Sequence, residues 1–193
     1  MDYREYDVPC GTIEKYIKLL KQWNKKINLI SANDLQELKE RHVMDSLQLL
    51  KYINKDQVLY DIGSGAGFPG LMLSYAGVKE VHLVERITKK ANFLTLAAAF
   101  SKDQLRIHNL SAEDIRCDKC DVITARGLSS LENIFEATQN IVKENTRYIL
   151  LKGRNTEEEI KKALENWQFK YIIHQSVTSP DGYVLEAERL EKK

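Results

Sequence analysis

The chain has 193 residues, of which 43% are hydrophobic and 30% are charged, and its formal net charge is +1. This length fits one domain, and the composition excludes disordered and collagen-like proteins. Because the net charge is close to zero, no strong global field attracts the protein to an anionic polymer, and any contact with nucleic acid must use local basic patches.

Neither membrane insertion nor secretion is indicated. No apolar stretch approaches the roughly 20 residues that cross a bilayer, and the acidic first five residues do not resemble a secretory signal. We therefore expect a cytosolic protein, with its three cysteines as thiols, and we treat it as a monomer. Cys117 and Cys120 form a lone CxxC pair, which cannot supply four zinc ligands, so we expect no metal site.

The N-terminal quarter is predicted to be helical. Apolar residues recur at helical spacing over residues 12–27, opposite a basic face that includes Lys25 and Lys26. A second helix is predicted from Asn33 to about Tyr52, and the side chains expected to face inward are Leu35, Leu38, Leu47 and Leu50. We predict that residues 1–55 form a helical cap on a core of residues 56–193, within one continuous unit.

From residue 57 onward, β-prone runs alternate with helical ones. Strands are predicted at residues 58–62, 81–85, 105–108, 121–124 and 148–151, and helices at 69–76, 88–100, 131–142 and 156–167. Thr156 to Glu159 fits a capping box at the start of the last helix. Such alternation implies a parallel sheet.

The C-terminal segment adds an antiparallel element. Residues 169–175 and 183–190 are predicted strands, and the turn-forming segment 179–182 (SPDG) joins them as a hairpin. The predicted fold class is therefore α/β: a doubly wound, mostly parallel Rossmann-like sheet with an N-terminal helical cap and an antiparallel C-terminal edge hairpin.

A glycine-rich segment, residues 61–70 (DIGSGAGFPG), follows the first predicted strand. Ligands of doubly wound sheets bind beyond the carboxyl ends of the strands. Glycines allow a tight turn and let a ligand approach the backbone closely. A plain strand-to-helix turn is the alternative, but this density of glycines favours a nucleoside-type ligand.

Two cofactor classes fit this loop. Residues 65–70 match the GxGxxG pattern of dinucleotide sites, and Glu85 is placed to hold ribose hydroxyls in either case. The carboxylate of Asp61 would repel a pyrophosphate by about 4 kcal/mol at 4 Å in a surface-like dielectric. It would attract the sulfonium and ammonium groups of S-adenosylmethionine, directly or through water. We therefore favour S-adenosylmethionine as the cofactor.

A dehydrogenase would also need a proton relay. Tyr148 and Lys152 formally spell YxxxK, a pair that cooperates on a helix. In the predicted strand these residues are about 13 Å apart, so the relay fails on geometry.

The chain resembles the bacterial 16S ribosomal RNA guanine-N7 methyltransferases, also called the glucose-inhibited division protein B family. The resemblance extends from Trp23 to about Trp167 and is carried by five segments: residues 23–29 (WNKKINL), 41–47 (RHVMDSL), 61–70 (DIGSGAGFPG), 124–126 (TAR) and 151–153 (LKG). It implies an S-adenosylmethionine-dependent enzyme whose partner is 16S ribosomal RNA or the small ribosomal subunit.

The resemblance also implies roles for individual residues. Gly63, Gly65, Gly67 and Phe68 belong to the cofactor loop, Glu85 holds the ribose, and Ala112 and Glu113 frame the adenine. Arg126 lies at the methyl-transfer pocket and contacts the cofactor, and Arg41, His42 and Asp45 form the wall of the substrate cleft. By spacing alone, a helix-stabilising polar pair is the slightly favoured interpretation of His42 and Asp45, and the resemblance reverses that preference.

Guanine N7 carries a lone pair and no proton, so the predicted mechanism is in-line displacement that needs alignment rather than a general base. Arg126 is suited to clamp guanine O6 or a phosphate. RNA contacts are expected at Lys152, Lys25 and Lys26, joined by a local basic surface of Lys89, Lys90 and Arg154, although the helix lysines are also consistent with a solvated face.

Two other functional classes remain open from the residues alone. One is a methyltransferase of a small molecule or protein, which would share the cofactor loop without needing a basic surface. The other is a non-catalytic nucleotide-binding module.

Overall fold

A computed structural model describes residues 3–31, 35–116 and 120–193. The predicted helix start at Asn33 and the CxxC residue Cys117 lie outside these ranges. The longer helices are α1 (Thr12–Asn24), α2 (Gly70–Tyr75), α3 (Thr88–Ala98), α4 (Leu131–Thr138) and α5 (Thr156–Asn166). The strands are β1 (Val58–Ile62), β2 (Glu80–Val84), β3 (Gln104–His108), β4 (Val122–Arg126), β5 (Arg147–Lys152), β6 (Trp167–Gln175) and β7 (Tyr183–Lys192).

The strands form one seven-stranded sheet in the order β3-β2-β1-β4-β5-β7-β6. The five strands from β3 to β5 are parallel, whereas β7 runs antiparallel to both β5 and β6. This arrangement confirms the predicted fold class and the C-terminal hairpin. The chain reverses its direction of travel across the sheet between β1 and β4, and a crevice opens at such a switch point.

Alternate residues of the strands pack into two separate apolar clusters. Leu59 of β1 belongs to the cluster that contains α1, α2 and α3, whereas Tyr60 and Ile62 belong to the cluster that contains α4 and α5. This is the period of two expected of strands covered on both faces. Ile13, Tyr16 and Leu20 of α1 belong to the first cluster, and the Tyr16 ring contacts the Phe93 ring of α3, so the N-terminal helix packs on the helical layer that covers this face of the sheet. The division between residues 55 and 56 stays a prediction.

The second predicted helix differs from the expectation. Residues 38–51 form one helical run of three geometries, which we call the mixed helix: a π-helix (Leu38–Met44), one α turn (Asp45–Leu47) and a 3₁₀ turn (Gln48–Lys51). Leu38 and Leu47 are buried as predicted, and Leu35 and Leu50 are half-buried. Apolar spacing does not separate these helix types. Within the run, the Ser46 hydroxyl donates to the His42 carbonyl (2.6 Å), and such side-chain bonds compete with regular helix geometry.

The predicted capping box at the start of α5 is wrong. Asn155 precedes the helix, and the Thr156 hydroxyl donates to the carbonyl of Gly153 (2.5 Å). The Glu159 carboxylate accepts instead from the Leu131 amide (3.1 Å) and from the Lys152 ammonium (2.7 Å). The Glu159 carboxylate thus pairs with the buried side chain of Lys152 and does not cap the N-terminus of α5, the role that the sequence pattern predicts for it.

Among the helices of the described residues, none combines the length and apolarity needed to cross a membrane.

Candidate active site

A cleft of about 880 Å³ lies at the carboxyl ends of β1, β2 and β4. Its walls come from the segments that directly follow these strands and β3, from residues 29–31, from His42 of the mixed helix and from α4. Eight of the predicted site residues line it: His42, Gly63, Gly65, Phe68, Glu85, Ala112, Glu113 and Arg126. The fold therefore brings the glycine loop, Glu85 and Arg126 together in one cavity, as expected of residues at the carboxyl ends of neighbouring parallel strands.

The glycine loop turns sharply where β1 ends. The Gly63 amide donates to the Val84 carbonyl (2.9 Å), and φ at Gly63 is +70°. A Cβ at this position would lie 2.4 Å from Leu128 Cδ1. Gly67 has φ +97°, and a Cβ there would lie 2.7 Å from Leu71. Both positions need glycine for the backbone conformation. At Gly67 there is also no space for a Cβ, whereas at Gly63 a Cβ would meet only the end of the exposed Leu128 side chain. Gly67 does not line the cleft and shapes the loop from behind.

Glu85 connects the loop to the wall formed after β2. Its Oε2 accepts from the Gly65 amide (3.0 Å), and its Oε1 accepts from the Ile87 amide (2.7 Å). The side chain is buried yet borders the cleft. Since an ionised carboxylate offers about four lone-pair sites, two backbone bonds leave capacity for the hydroxyls of a ligand.

The side chain of Asp61 does not face the cleft, where it was expected to attract the sulfonium and ammonium groups of the cofactor. It is fully buried, it does not line the cleft, and its Oδ1 accepts from the Thr124 hydroxyl (2.9 Å). A Cβ at Gly70 would lie 2.5 Å from Asp61 Cβ, so the carboxyl packs tightly against the start of α2. The expectation that this carboxylate faces a bound sulfonium, directly or through water, is therefore wrong for this geometry. Asp61 supports the loop from below.

Burial controls the protonation of this carboxyl. Desolvation raises the pKa of Asp61 to about 7, although hydrogen bonds from Ser64, Thr124 and the Gly70 amide act in the opposite direction. Because its pKa is close to physiological pH, the Asp61 carboxyl is only partly ionised there and does not supply a fixed negative charge beneath the loop.

Beyond Glu85, a short turn and two aliphatic side chains contribute to the cleft wall. Ala112 and Glu113 lie in a 3₁₀ turn (Ala112–Asp114) that follows β3. Ile87 and Leu128 also line the cleft and remain 45% and 43% exposed. Exposed aliphatic side chains at a cavity wall suit a flat aromatic ligand.

Arg126 is the last residue of β4, and it also lines the cleft. Its guanidinium carbon lies 6.0 Å from the centroid of the Phe68 ring, and its Nε lies 3.6 Å from Asp45 Oδ2. The His42 ring packs on the same phenyl ring, with centroids 5.0 Å apart. Arg126 and His42 are thus brought together over Phe68. Asp45 does not line the cleft and contacts it through Arg126.

The lysine of the fifth strand does not face solvent. The side chain of Lys152 is 7% exposed, and its ammonium contacts Glu159 (2.7 Å) and the Ser129 carbonyl (3.2 Å). It therefore joins β5 and α5 to the segment between β4 and α4. The predicted RNA contact of Lys152 is not supported by this arrangement.

The other predicted RNA contacts lie outside the cleft. Arg41 forms an exposed ion pair with Glu37 (3.2 Å), and Lys25 and Lys26 are exposed after α1. In the basic surface, Lys90 lines the cleft and Arg154 pairs with Asp181 (2.9 Å).

Sequence reasoning missed several cleft residues. Ile87 lies two residues after Glu85, and Leu128 lies two residues after Arg126, so their position just beyond a strand end was the available signal. Asn133 of α4 also lines the cleft, and no motif in the sequence identifies it.

Comparison with known proteins yields a family and a set of relatives. The family model described as "GidB: rRNA small subunit methyltransferase G" matches residues 10–185. The chain is 48% identical to a protein named "Ribosomal RNA small subunit methyltransferase G" from Rickettsia typhi over 96% of this chain and 98% of that protein. It is 47% identical to the protein of the same name from Rickettsia prowazekii over 93% of this chain and 94% of that one.

Solved structures share the architecture at low sequence identity. The chain is similar to magnesium protoporphyrin IX methyltransferase from Synechocystis PCC 6803 with bound SAM, with a TM-score of 0.63 and 15% identity over 96% of this chain and 94% of that one. This likeness concerns the fold alone.

Proposed function

The chain belongs to the rRNA small subunit methyltransferase G (GidB) family, and we propose on this premise that it transfers a methyl group from S-adenosylmethionine to N7 of a guanine in 16S ribosomal RNA. The observation that carries the proposal is the cleft at the switch point of the sheet. The glycine loop, Glu85 and Arg126 all line this cleft.

The residues present fit the cofactor. Glu85 has acceptor capacity for ribose hydroxyls, and Ala112 and Ile87 offer apolar contacts to an adenine. A Cβ at Gly65 would meet no protein atom closer than 3.8 Å, and one at Gly127 would meet none within 4 Å, so the backbone at both cleft positions is open to a ligand. When bound, S-adenosylmethionine supplies an electrophilic methyl group on a sulfonium.

The chain's own residues act by binding and orienting. Guanine N7 has a lone pair and no proton to lose, so no side chain has to serve as a base. Arg126, at the cleft and 21% exposed, is suited to donate two hydrogen bonds to guanine O6 or to a phosphate. Holding N7 in line with the methyl group supplies the rate enhancement through proximity.

His42 and Asp45 support this acceptor wall. His42 packs on Phe68 beside Arg126, and Asp45 pairs with the guanidinium. In this proposal Arg126 and His42 contact the acceptor, whereas Asp45 acts through Arg126.

The substrate is 16S ribosomal RNA, free or within the small subunit, and the protein works as a monomer in the cytoplasm, where ribosomes are assembled. With a net charge of only +1, RNA binding must use local cations. The exposed Lys25 and Lys26, together with Lys90 at the cleft, are assigned to phosphate contacts.

Chemical strand cleavage at N7-methylguanine tests the proposal. We expect 16S ribosomal RNA from cells that lack the protein to lose one cleavage site, and the purified protein with S-adenosylmethionine to restore it. An unchanged cleavage pattern in both experiments would contradict the proposal.

A further inference from the structure

A partly buried polar network joins the mixed helix to the loop of the C-terminal hairpin. Asp45 Oδ1 accepts from the Thr178 hydroxyl (2.7 Å) and from Gln48 Nε2 (2.6 Å). The Gln48 Oε1 atom accepts from the Val177 amide (3.0 Å), and its Nε2 also donates to Ser176 Oγ (3.1 Å). The hairpin loop therefore contacts Asp45 directly through the Thr178 hydroxyl, and it contacts Gln48 through the Val177 amide and the Ser176 hydroxyl.

The centre of the network is buried, whereas Asp45 and Thr178 are half-buried. Gln48 is 1% exposed and Ser176 is 7% exposed. The Ser176 amide donates to the Gly182 carbonyl (2.9 Å), which closes the loop on itself. Arg154 pairs with Asp181 (2.9 Å) from the neighbouring segment. Buried polar groups that are fully bonded rigidify the elements they join.

The same carboxylate reaches the cleft. Whereas Oδ1 of Asp45 takes the bonds from Thr178 and Gln48, Oδ2 lies 3.6 Å from Arg126 Nε. The two oxygens of one carboxylate thus face two different partners. If Oδ1 loses its bond to Thr178 or Gln48 and the carboxylate rotates, the Oδ2 atom that faces Arg126 moves as well.

We propose that Thr178 and Gln48 are positioning residues for methyl transfer: by fixing the Asp45 carboxylate, they fix the orientation of the Arg126 guanidinium toward the acceptor base. This inference rests on the proposed function, because it takes Arg126 as the acceptor contact. It assigns a role in the reaction to a hairpin loop that lies 133 residues from Asp45 in the chain and contributes no residue to the lining of the cleft.

The competing interpretation is a purely structural attachment of the hairpin loop to the mixed helix. The two differ in their consequences. A structural attachment lowers stability and leaves the rate of the folded enzyme unchanged. A positioning role lowers kcat with unchanged donor affinity, and its effect depends on Arg126.

The test compares Thr178→Val, which removes the hydroxyl at nearly constant volume, with Thr178→Ser, which retains it. Single-turnover methyl transfer to 16S ribosomal RNA gives the rate, and calorimetry with S-adenosylmethionine gives the donor affinity. We expect Thr178→Val to lower the rate about 10-fold or more with donor affinity within about twofold, and Thr178→Ser to retain most of the rate. Ser179→Ala, in the same loop but without a bond to Asp45, is the matched control and should behave as wild type.

A double-mutant cycle with Arg126→Ala identifies the route of the effect. If Thr178 acts through Arg126, Thr178→Val causes no further loss of rate in the Arg126→Ala background. Asp45→Asn serves as a second variant in the same cycle, and it should likewise cause no further loss of rate in the Arg126→Ala background.

Two results would overturn the inference while leaving the proposed function intact: a wild-type rate in folded Thr178→Val, or an equal loss of rate with and without Arg126. A wild-type protein that methylates no 16S ribosomal RNA would remove both.

Discussion

Glu159 Oε2 lies 2.7 Å from Lys152 Nζ and accepts at the same time from the Leu131 amide. This carboxylate therefore joins β5, the start of α4 and its own helix α5. Since Lys152 also donates to the Ser129 carbonyl, the pair fixes the segment between β4 and α4. That segment carries Leu128 and Ser129 of the cleft wall.

Replacing Lys152 with methionine tests this role. Because the lysine is 7% exposed, the change leaves a partly buried carboxylate without its cation, and we expect a loss of about 1 to 3 kcal/mol of unfolding free energy. Urea denaturation measures it, and Lys161→Met, an exposed lysine of α5, is the control with little effect. Full stability of Lys152→Met would refute the structural role.

Lys25 and Lys26 should behave differently from Lys152. Each exposed lysine that contacts a phosphate adds about 0.7 to 0.9 to the slope of log affinity against log salt. Lys25→Gln and Lys26→Gln should therefore each lower that slope with little change in stability. Filter binding of 16S ribosomal RNA between low and moderate salt measures it, with Lys170→Gln on the edge strand as control. Slopes equal to that of the wild-type protein would show that these lysines contact solvent and no phosphate.

Gly63→Val should abolish donor binding. The backbone has φ +70°, and the new side chain would displace Leu128 and enter the cleft that both residues line. Left-handed backbone strain at a non-glycine residue costs about 1 to 3 kcal/mol in addition.

Calorimetry with S-adenosylmethionine measures the loss. Gly153→Ala, where a Cβ meets nothing within 4 Å, is the control and should bind normally. Donor affinity retained in folded Gly63→Val would show that the loop is not the cofactor site.

Asp61→Asn should change how stability depends on pH. The folded pKa of Asp61 is raised from 3.8 to about 7, so the folded state binds more protons than the unfolded state between these values. The contribution of Asp61 to stability therefore falls as pH rises through this range, and asparagine lacks this slope.

The difference in unfolding free energy between variant and wild type isolates Asp61. Burial lowers the pKa values of the stacked His82 and His108, and their contribution falls in the opposite direction, as pH decreases, in both proteins. We expect Asp61→Asn to gain stability relative to wild type between pH 5 and pH 8. An identical difference at both pH values would contradict the raised pKa.

The strands could be predicted to within a few residues at their ends because buried strands alternate with helices in a regular pattern. The direction of the Asp61 side chain follows from strand parity: Leu59 and Asp61 share one face of β1, and Tyr60 and Ile62 share the other, so the carboxyl lies on the face that α1, α2 and α3 cover. Proximity to a loop in sequence does not give the direction of a side chain.

Other features could not be predicted locally. The π and 3₁₀ turns of the mixed helix follow the same apolar spacing as an α-helix. Lys152 lies at the end of a strand, where ligand-binding residues are expected. Only the three-dimensional position of Glu159 shows that this lysine forms an ion pair instead. The bond between Asp45 and Thr178 joins residues 133 positions apart.

The most direct test of the account is the Arg126→Ala variant, assayed for donor affinity and for methyl transfer to guanine N7 of 16S ribosomal RNA on the same preparation. We predict that S-adenosylmethionine binds within about threefold of wild type, because Glu85 and the glycine loop are intact, while the transfer rate falls about 100-fold or more, as for the loss of one preorganised donor. Donor affinity that falls in parallel with the rate would contradict the placement of Arg126 on the acceptor side of the cleft.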